Sequence, residues 1–255
     1  MKILGGISLG LTSKSTGTNA IDNGLLIEKT DGDRVIALAG NPNVGKSTVF
    51  NTLTGLNQHT GNWPGKTVSN AQGKCVFNDK SYILVDIPGT YSLMAHSAEE
   101  EVARDFICFG GADAVIVVCD ATCLERNLNL VLQTIEITSN VVVCVNLLDE
   151  AKKKKIFVDL EGLEQRLGVA VVGAVARSEK GLDRLMERLE KVCDKSGNKA
   201  IEISYSDEIE KAIEILLPSV AEKLCGKLNP RWVAIKLLDR NTVLLNSLNE
   251  FLGFD

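Results

Sequence analysis

The stretch GNPNVGKST, Gly40 to Thr48, constrains the fold more than any other part of the chain. It follows a β-branched run, RVIALA, and opens a helical one, STVFNTLTG, so a strand, a loop and a helix carry the spacing G-x-x-x-x-G-K-[ST]. Gly40 and Gly45 let backbone N–H groups turn inward on a phosphate, and the start of the helix adds partial positive charge. Lys46 is expected at the β- and γ-phosphates and the Ser47 hydroxyl at Mg²⁺. Asn41, Pro42, Asn43, Val44 and Thr48 complete the loop, with Asn41 read as structural and Pro42 as a stiffener. The unit predicts an α/β domain that binds a nucleoside triphosphate.

The chain around it has the matching rhythm. Short apolar runs (RVIALA, KCVFN, SYILVD, DAVIVVCD, NVVVCVN, VAVVGA) alternate with helical stretches from STVFNTLTG to GLDRLMERLEKVC. That predicts a mostly parallel, six-stranded sheet covered on both faces, the P-loop GTPase arrangement of Ras-like proteins. Asn78-Asp79, between two such runs, predicts one antiparallel hairpin. Residues 1–33, rich in Gly, Ser, Thr and Asn, read as an irregular leader, and 34–194 as the GTPase domain. Residues 195–255 begin in a polar linker, DKSGNK, and read as a small all-α domain, its first helix capped by Ser206 and interrupted at Pro218.

Three further motifs narrow the chemistry. DIPG, Asp86 to Gly89, ends an apolar strand; Asp86 is expected to hold Mg²⁺ through a water and the Gly89 N–H to sense a γ-phosphate. Between this motif and the first loop lies LNQHTGNWPGKTVSN, where Thr67 is expected to ligate Mg²⁺ only beside a γ-phosphate, making the segment a switch; Gly65 and Lys66 belong to the same nucleotide-contacting stretch. VNLLD puts Asn146 and Asp149 at the carboxyl edge of the fifth run, where α/β sheets bind ligands. An aspartate there accepts from guanine N1–H and N2–H₂, a donor pair adenine lacks. The guanine-reading pattern is N-K-x-D, and Leu147 stands in place of its lysine. AVAR follows the sixth run, with the Ala176 N–H expected at guanine O6 between Val175 and Arg177. Together these favour GTP.

Composition excludes other classes. With 45% hydrophobic and 24% charged residues the chain is an ordinary globular one, and its net charge of −5 argues against a nucleic-acid partner. Seven scattered cysteines read as reduced, buried hydrophobes; Cys119 and Cys123 lack the third ligand a metal site needs. No run approaches the roughly 20 apolar residues of a membrane span. His59 and His96 read as polar loop residues rather than iron ligands, Trp63 as a packing anchor, Lys152 to Lys155 as a solvated helix end with anionic lipid as the competing contact, and Glu210 with Glu214 as a solubilising helix face.

With these residues assembled, the chain resembles the cytosolic N-terminal region of FeoB-type ferrous iron transporters. GNPNVGKSTVFNTLTG, GNWPGKTV, DIPGTYSL, NLLDE and RWVAIKLLD carry the resemblance. It implies a GTPase domain that hydrolyses GTP to GDP and phosphate. A helical domain resembling a guanine-dissociation inhibitor follows, then a membrane permease for Fe²⁺, so the region lies on the cytoplasmic face of the inner membrane. It also implies a role for K⁺: in related potassium-activated GTPases the asparagine matching Asn43 ligates a monovalent cation, with backbone carbonyls near Gly61 and Trp63 adding oxygens. That cation stands where an arginine finger otherwise places charge. Local turn bonding is the competing reading of Asn43. Thr90 occupies the position where Ras-like switches carry a water-orienting glutamine. The catalytic set is then Asn43, Lys46, Thr67 and Gly89. Two alternatives stay open: a soluble GTPase of ribosome or tRNA maturation, and a GTP-dependent docking module without turnover. A homo-oligomer is compatible with all three.

Overall fold

The computed structural model describes residues 27, 29–55, 58–63, 68–94, 97–194, 199–240 and 242–253. The leader (apart from 27 and 29–33), the linker at 195–198, Gly65, Lys66, Thr67 and His96 lie outside them. The strands are β1 (Arg34–Gly40), β2 (Gln58–Asn62), β3 (Ser69–Phe77), β4 (Lys80–Asp86), β5 (Ala114–Asp120), β6 (Val141–Asn146) and β7 (Ala170–Gly173). They form one sheet in the order β2-β3-β4-β1-β5-β6-β7. From β4 to β7 all pairing is parallel, while β3 runs antiparallel to both β2 and β4. The sheet therefore has seven strands, not six. The extra one, QHTGN, has no apolar alternation to announce it; its backbone pairing with β3 makes it a strand at the sheet edge, where polar residues are tolerated.

Nine helices are described: α1 (Lys46–Thr54), α2 (Ala98–Phe109), α3 (Leu124–Ile137), α4 (Leu148–Lys153), α5 (Leu160–Leu167), α6 (Leu182–Cys193), α7 (Asp207–Leu224), α8 (Pro230–Asp239) and α9 (Thr242–Leu252). The two-residue period of β1 sorts its side chains. Ile36 and Leu38 face Phe50 of α1 and Leu185 and Leu189 of α6, while Val35, Ala37 and Ala39 face the layer built on α2 and α3. Asn78 and Asp79 both have positive φ (47° and 59°), as the predicted two-residue hairpin requires. Ser97 caps α2, accepting from the Glu100 N–H at 3.2 Å, and Glu99, Glu100 and Glu101 complement the dipole of that first turn.

The helical tail packs on the α2–α3 face. Trp232 of α8 joins the core cluster that includes Phe106, and Phe251 of α9 lies 4.9 Å from Phe109 between ring centroids. Helix α7 runs unbroken through Pro218, against the expected interruption. Pro218 and Glu214 are both exposed, so water reaches the carbonyl that the proline leaves unbonded, and buried Ile213 and Val220 anchor the helix on either side. Glu210 also departs from the solvated face expected of it. Its carboxylate accepts from both terminal nitrogens of Arg231, at 2.9 and 2.8 Å, and from the Tyr205 N–H at 2.8 Å. Among the described residues no helix is long and apolar enough to cross a membrane.

Candidate functional site

Four loops meet at the carboxyl edge of the parallel strands: 40–47 after β1, 86–90 after β4, 146–149 after β6 and 174–177 after β7. The first turns sharply, with Asn43 at φ 66° and Gly45 at φ 83°. Its glycines are fixed by space as much as by conformation. A Cβ on Gly45 would sit 2.4 Å from Asn146 Nδ2, and one on Gly40 would sit 2.7 Å from the Val118 carbonyl oxygen. Helix α1 starts at Lys46 with no acidic residue in its first turn, so its positive end is not offset, and Ser47 and Thr48 lie exposed there. Pro42 and Asn43 are exposed and Val44 is buried in the core beneath. Asn41 is buried with neither polar atom of its amide bonded, so its side chain does not brace the loop. The bond from Asn146 Nδ2 to the Val44 carbonyl (3.0 Å) does.

Lys46 Nζ donates to the Asp86 carboxylate and, at 2.7 Å, to the Ile87 carbonyl. The predicted phosphate and Mg²⁺ residues thus neutralise one another across the loop. Gly89 passes close to Pro42, and Thr90 donates its N–H to the Gly40 carbonyl at 3.2 Å, tying the two loops together. The Thr90 side chain is buried, donating to the Ser92 carbonyl at 2.7 Å; it presents nothing to a water at the loop.

Asn146 is the hub of the base-side loops. Buried at the end of β6, it donates to Val44 and accepts from the Ala176 N–H at 3.0 Å, so it binds the first loop to the last. The N–H expected at guanine O6 is therefore already engaged, and an O6 atom has to share it. Leu147 is left-handed (φ 62°), a costly backbone state for leucine that turns the chain into α4 and brings Asp149 round. Asp149 Oδ1 is buried with no hydrogen-bond partner. An unpaired buried acceptor costs about 1–3 kcal/mol, a cost that a ligand bringing donors to this oxygen would relieve. Val175 donates to the Lys180 carbonyl at 2.9 Å, and Arg177 is exposed.

The donors fit the expected groups in kind. Ser47 and Asp86 offer hard oxygens to Mg²⁺. Trp63 is buried edge-on to Phe106, with centroids 5.3 Å apart; its backbone N–H donates to the Val68 carbonyl at 2.7 Å, while its indole N–H is buried without a partner and Gly61 is exposed in β2. Packing is what the sequence predicts for Trp63. Among the described residues no three His, Cys, Asp or Glu side chains gather to hold a metal, and Cys119 is buried while Cys123 is exposed.

One set of polar contacts was not anticipated. The segment after DIPG is held by one face of α3. Arg126 stacks over the Tyr91 ring at 4.0 Å, Asn129 donates to the Tyr91 carbonyl at 3.2 Å, and Gln133 Oε1 accepts from the Leu93 N–H at 2.6 Å. One turn further on, Glu136 accepts from the Tyr205 hydroxyl with its carboxylate and from Asn229 Nδ2 (2.9 Å) with its carbonyl. The signal in the sequence was a polar stripe at 126, 129, 133 and 136, the i, i+3, i+7, i+10 spacing of a helix face.

Residues 34–189 match the family model described as ferrous iron transport protein B, and residues 205–252 match the FeoB cytosolic helical domain. The chain is 36% identical over 209 residues to the Fe(2+) transporter FeoB of Salmonella typhimurium, covering 80% of this chain and 27% of that protein. It is similar to the cytosolic domain of the T. maritima FeoB iron transporter in apo form (TM-score 0.75, 34% identity, 88% of this chain and 87% of that one). The GMPPNP form of the same domain gives a TM-score of 0.76 at 34% identity, with 87% of each chain covered. The chain thus spans about a quarter of the length of the curated relatives it matches.

Proposed function

The chain belongs to the ferrous iron transport protein B family, and on that premise we propose that it binds GTP and hydrolyses it to GDP and phosphate, as the cytoplasmic switch of a membrane permease for Fe²⁺. Residues 34–194 form the GTPase unit and 195–255 the helical unit, with 1–33 as a leader. The alternative of a ribosome or tRNA maturation factor loses its ground with the family assignment. Proteins of similar fold have been solved in GDP and GMPPNP forms, which supports a guanine nucleotide here.

In this reading the N–H groups of Asn43 to Thr48 close on the α- and β-phosphates, and Lys46 leaves Asp86 for the β- and γ-oxygens. Ser47, Asp86 and Thr67 would hold Mg²⁺, which when bound would supply positive charge to the phosphate oxygens. Gly65 and Lys66 border the nucleotide beside Thr67, and the Gly89 N–H faces the γ-phosphate. On the base side, Asp149 accepts from N1–H and N2–H₂, Asn146 and Ala176 share O6 and its neighbourhood, and Leu147, Val175 and Arg177 wall the ring. Asn43 Oδ1 with backbone carbonyls near Gly61 and Trp63 would hold K⁺, which when bound would supply further positive charge at the phosphates. The permease and any homo-oligomer act through surfaces away from this edge.

The buried, unpartnered oxygen of Asp149 carries the proposal, because it selects the base. Calorimetry in Mg²⁺ tests it. The wild-type chain takes up GTP and GDP but not ATP. Asp149→Asn, which loses two charge-assisted bonds worth about 3 kcal/mol together, binds GTP some hundredfold more weakly and gains XTP. Unchanged GTP affinity in that variant would remove Asp149 from the base site. A second reading, GTP-dependent docking without turnover, is favoured by buried Thr90; absence of phosphate release in saturating K⁺ and Mg²⁺ would select it.

A further inference from the structure

The corner that joins α4 to α5 serves no part of the nucleotide site, and its surface is unusual. Lys152, Lys153, Lys154 and Lys155 are all exposed, and they run directly into Ile156 and Phe157. Phe157 is 91% exposed and Ile156 39%, an apolar pair standing in solvent beside four cations. Arg126 and Arg166 line the same groove as Phe157, with Glu125 and Asp159 as its acids. Lys153 pairs with Glu150 at 2.7 Å; among the described residues Lys152, Lys154 and Lys155 have no carboxylate partner. Cations outnumber acids here on a chain whose net charge is −5.

The corner is also rigid. Lys155 N–H donates to the Lys152 carbonyl at 3.1 Å and Ile156 N–H to the Ala151 carbonyl at 2.9 Å, the paired bonds of a Schellman helix end. Lys155 holds the left-handed position of that motif at φ 58°, where glycine is the residue of least conformational cost. A lysine there retains charge at the expense of an easier turn, and the turn fixes Phe157 pointing outward.

We propose that this corner is a contact for the surface of an anionic lipid bilayer: the lysines seat among the headgroups and Phe157 with Ile156 enters the boundary between headgroups and acyl chains. Charge alone would equally suit nucleic acid or an acidic protein. The apolar pair decides, because it gains nothing from a phosphate backbone and fits a headgroup layer. The contact would orient the GTPase unit on the leaflet independently of any nucleotide.

Flotation of the full 255-residue chain with vesicles tests this. Vesicles of phosphatidylcholine with about a third phosphatidylglycerol should capture it at low salt, and pure phosphatidylcholine should not. The triple variant Lys152→Gln, Lys154→Gln, Lys155→Gln should lose on the order of a hundredfold, at about fivefold for each lysine. Phe157→Ser, with every charge kept, should also weaken capture. Phe157→Trp should shift its emission to the blue on anionic vesicles; circular dichroism checks that each variant is folded. Equal capture by both vesicle types, or no effect of the triple variant, overturns the proposal. So does an undiminished Phe157→Ser, or tighter binding to duplex DNA or polyglutamate than to vesicles, since either would leave only a charge-driven contact.

Discussion

At the residue scale, the two asparagines of the first loop part company. Asn41 is buried with an unbonded amide, whereas Asn43 is exposed and left-handed beside the phosphate edge. Asparagine tolerates that backbone better than most residues, so the turn at Asn43 is compatible with the proposed cation role. The proposed cation role predicts that hydrolysis, about 10⁻⁴ to 10⁻³ per second when unassisted, rises in K⁺ but not in Na⁺. In Asn43→Ala, phosphate-release assays should find that preference gone while nucleotide titration finds affinity within about threefold of wild type. Full K⁺ stimulation in the variant would leave only the turn. Sequence spacing made Gly40, Gly45, Lys46 and Ser47 legible because the loop is local. It did not reveal that Asn146 ties Val44 to Ala176, because those three residues meet only once β1, β6 and β7 are in register.

Among the elements, α3 stands out as the piece that touches both the segment after DIPG and the helical tail. Gln133 holds Leu93, and Glu136, a turn away, holds Tyr205 and Asn229. A shift of α3 at one end would be carried to the other, the proposed route from the helical unit to nucleotide release. Stopped-flow release of a fluorescent GDP tests this with a double-mutant cycle. Gln133→Ala, which loses contacts to both the Leu93 N–H and the Ser92 hydroxyl, should speed release at least about fivefold, the kinetic equivalent of about 1 kcal/mol. Tyr205→Phe should speed it in the wild-type background and add little to Gln133→Ala. Fully additive effects would break the proposed relay. The helices themselves were readable from apolar periodicity, as α6 illustrates, whereas the Ser206 expected to cap α7 stands at its start with no side-chain cap bond. Strand β2 and the unbroken α7 were not: one is held by backbone pairing, and the other survives its proline because the freed carbonyl faces water.

For the whole molecule, the tail's attachment carries a pH dependence. Arg231 is the first cause holding the Glu210 carboxyl down, with the Tyr205 N–H second, and together they lower it from 4.5 to about 2. Because the folded value lies below the ordinary one, the contribution is fully present above about pH 4.5. It fades as pH falls from there through about 2, below which folded and unfolded forms both carry the proton. Emission from Trp232, buried where the tail meets the α2–α3 layer, should therefore report loosening over that window. Glu210→Gln should lower stability at pH 7 and flatten the acid limb; an acid limb identical to wild type would assign it to other groups. The plan of a sheet covered on both faces and followed by a helical unit was legible as a class, but this ion pair was not, since residues 210 and 231 sit on different helices.

Lys46 and Asp86 are each other's counter-charge. A guest of a single sign would strand one of them uncompensated in a partly enclosed place. A guest that brings both signs exchanges one matched couple for two. Under the proposed function, the loop would admit triphosphate and divalent cation as a joint arrival, and would discriminate against either when it comes alone.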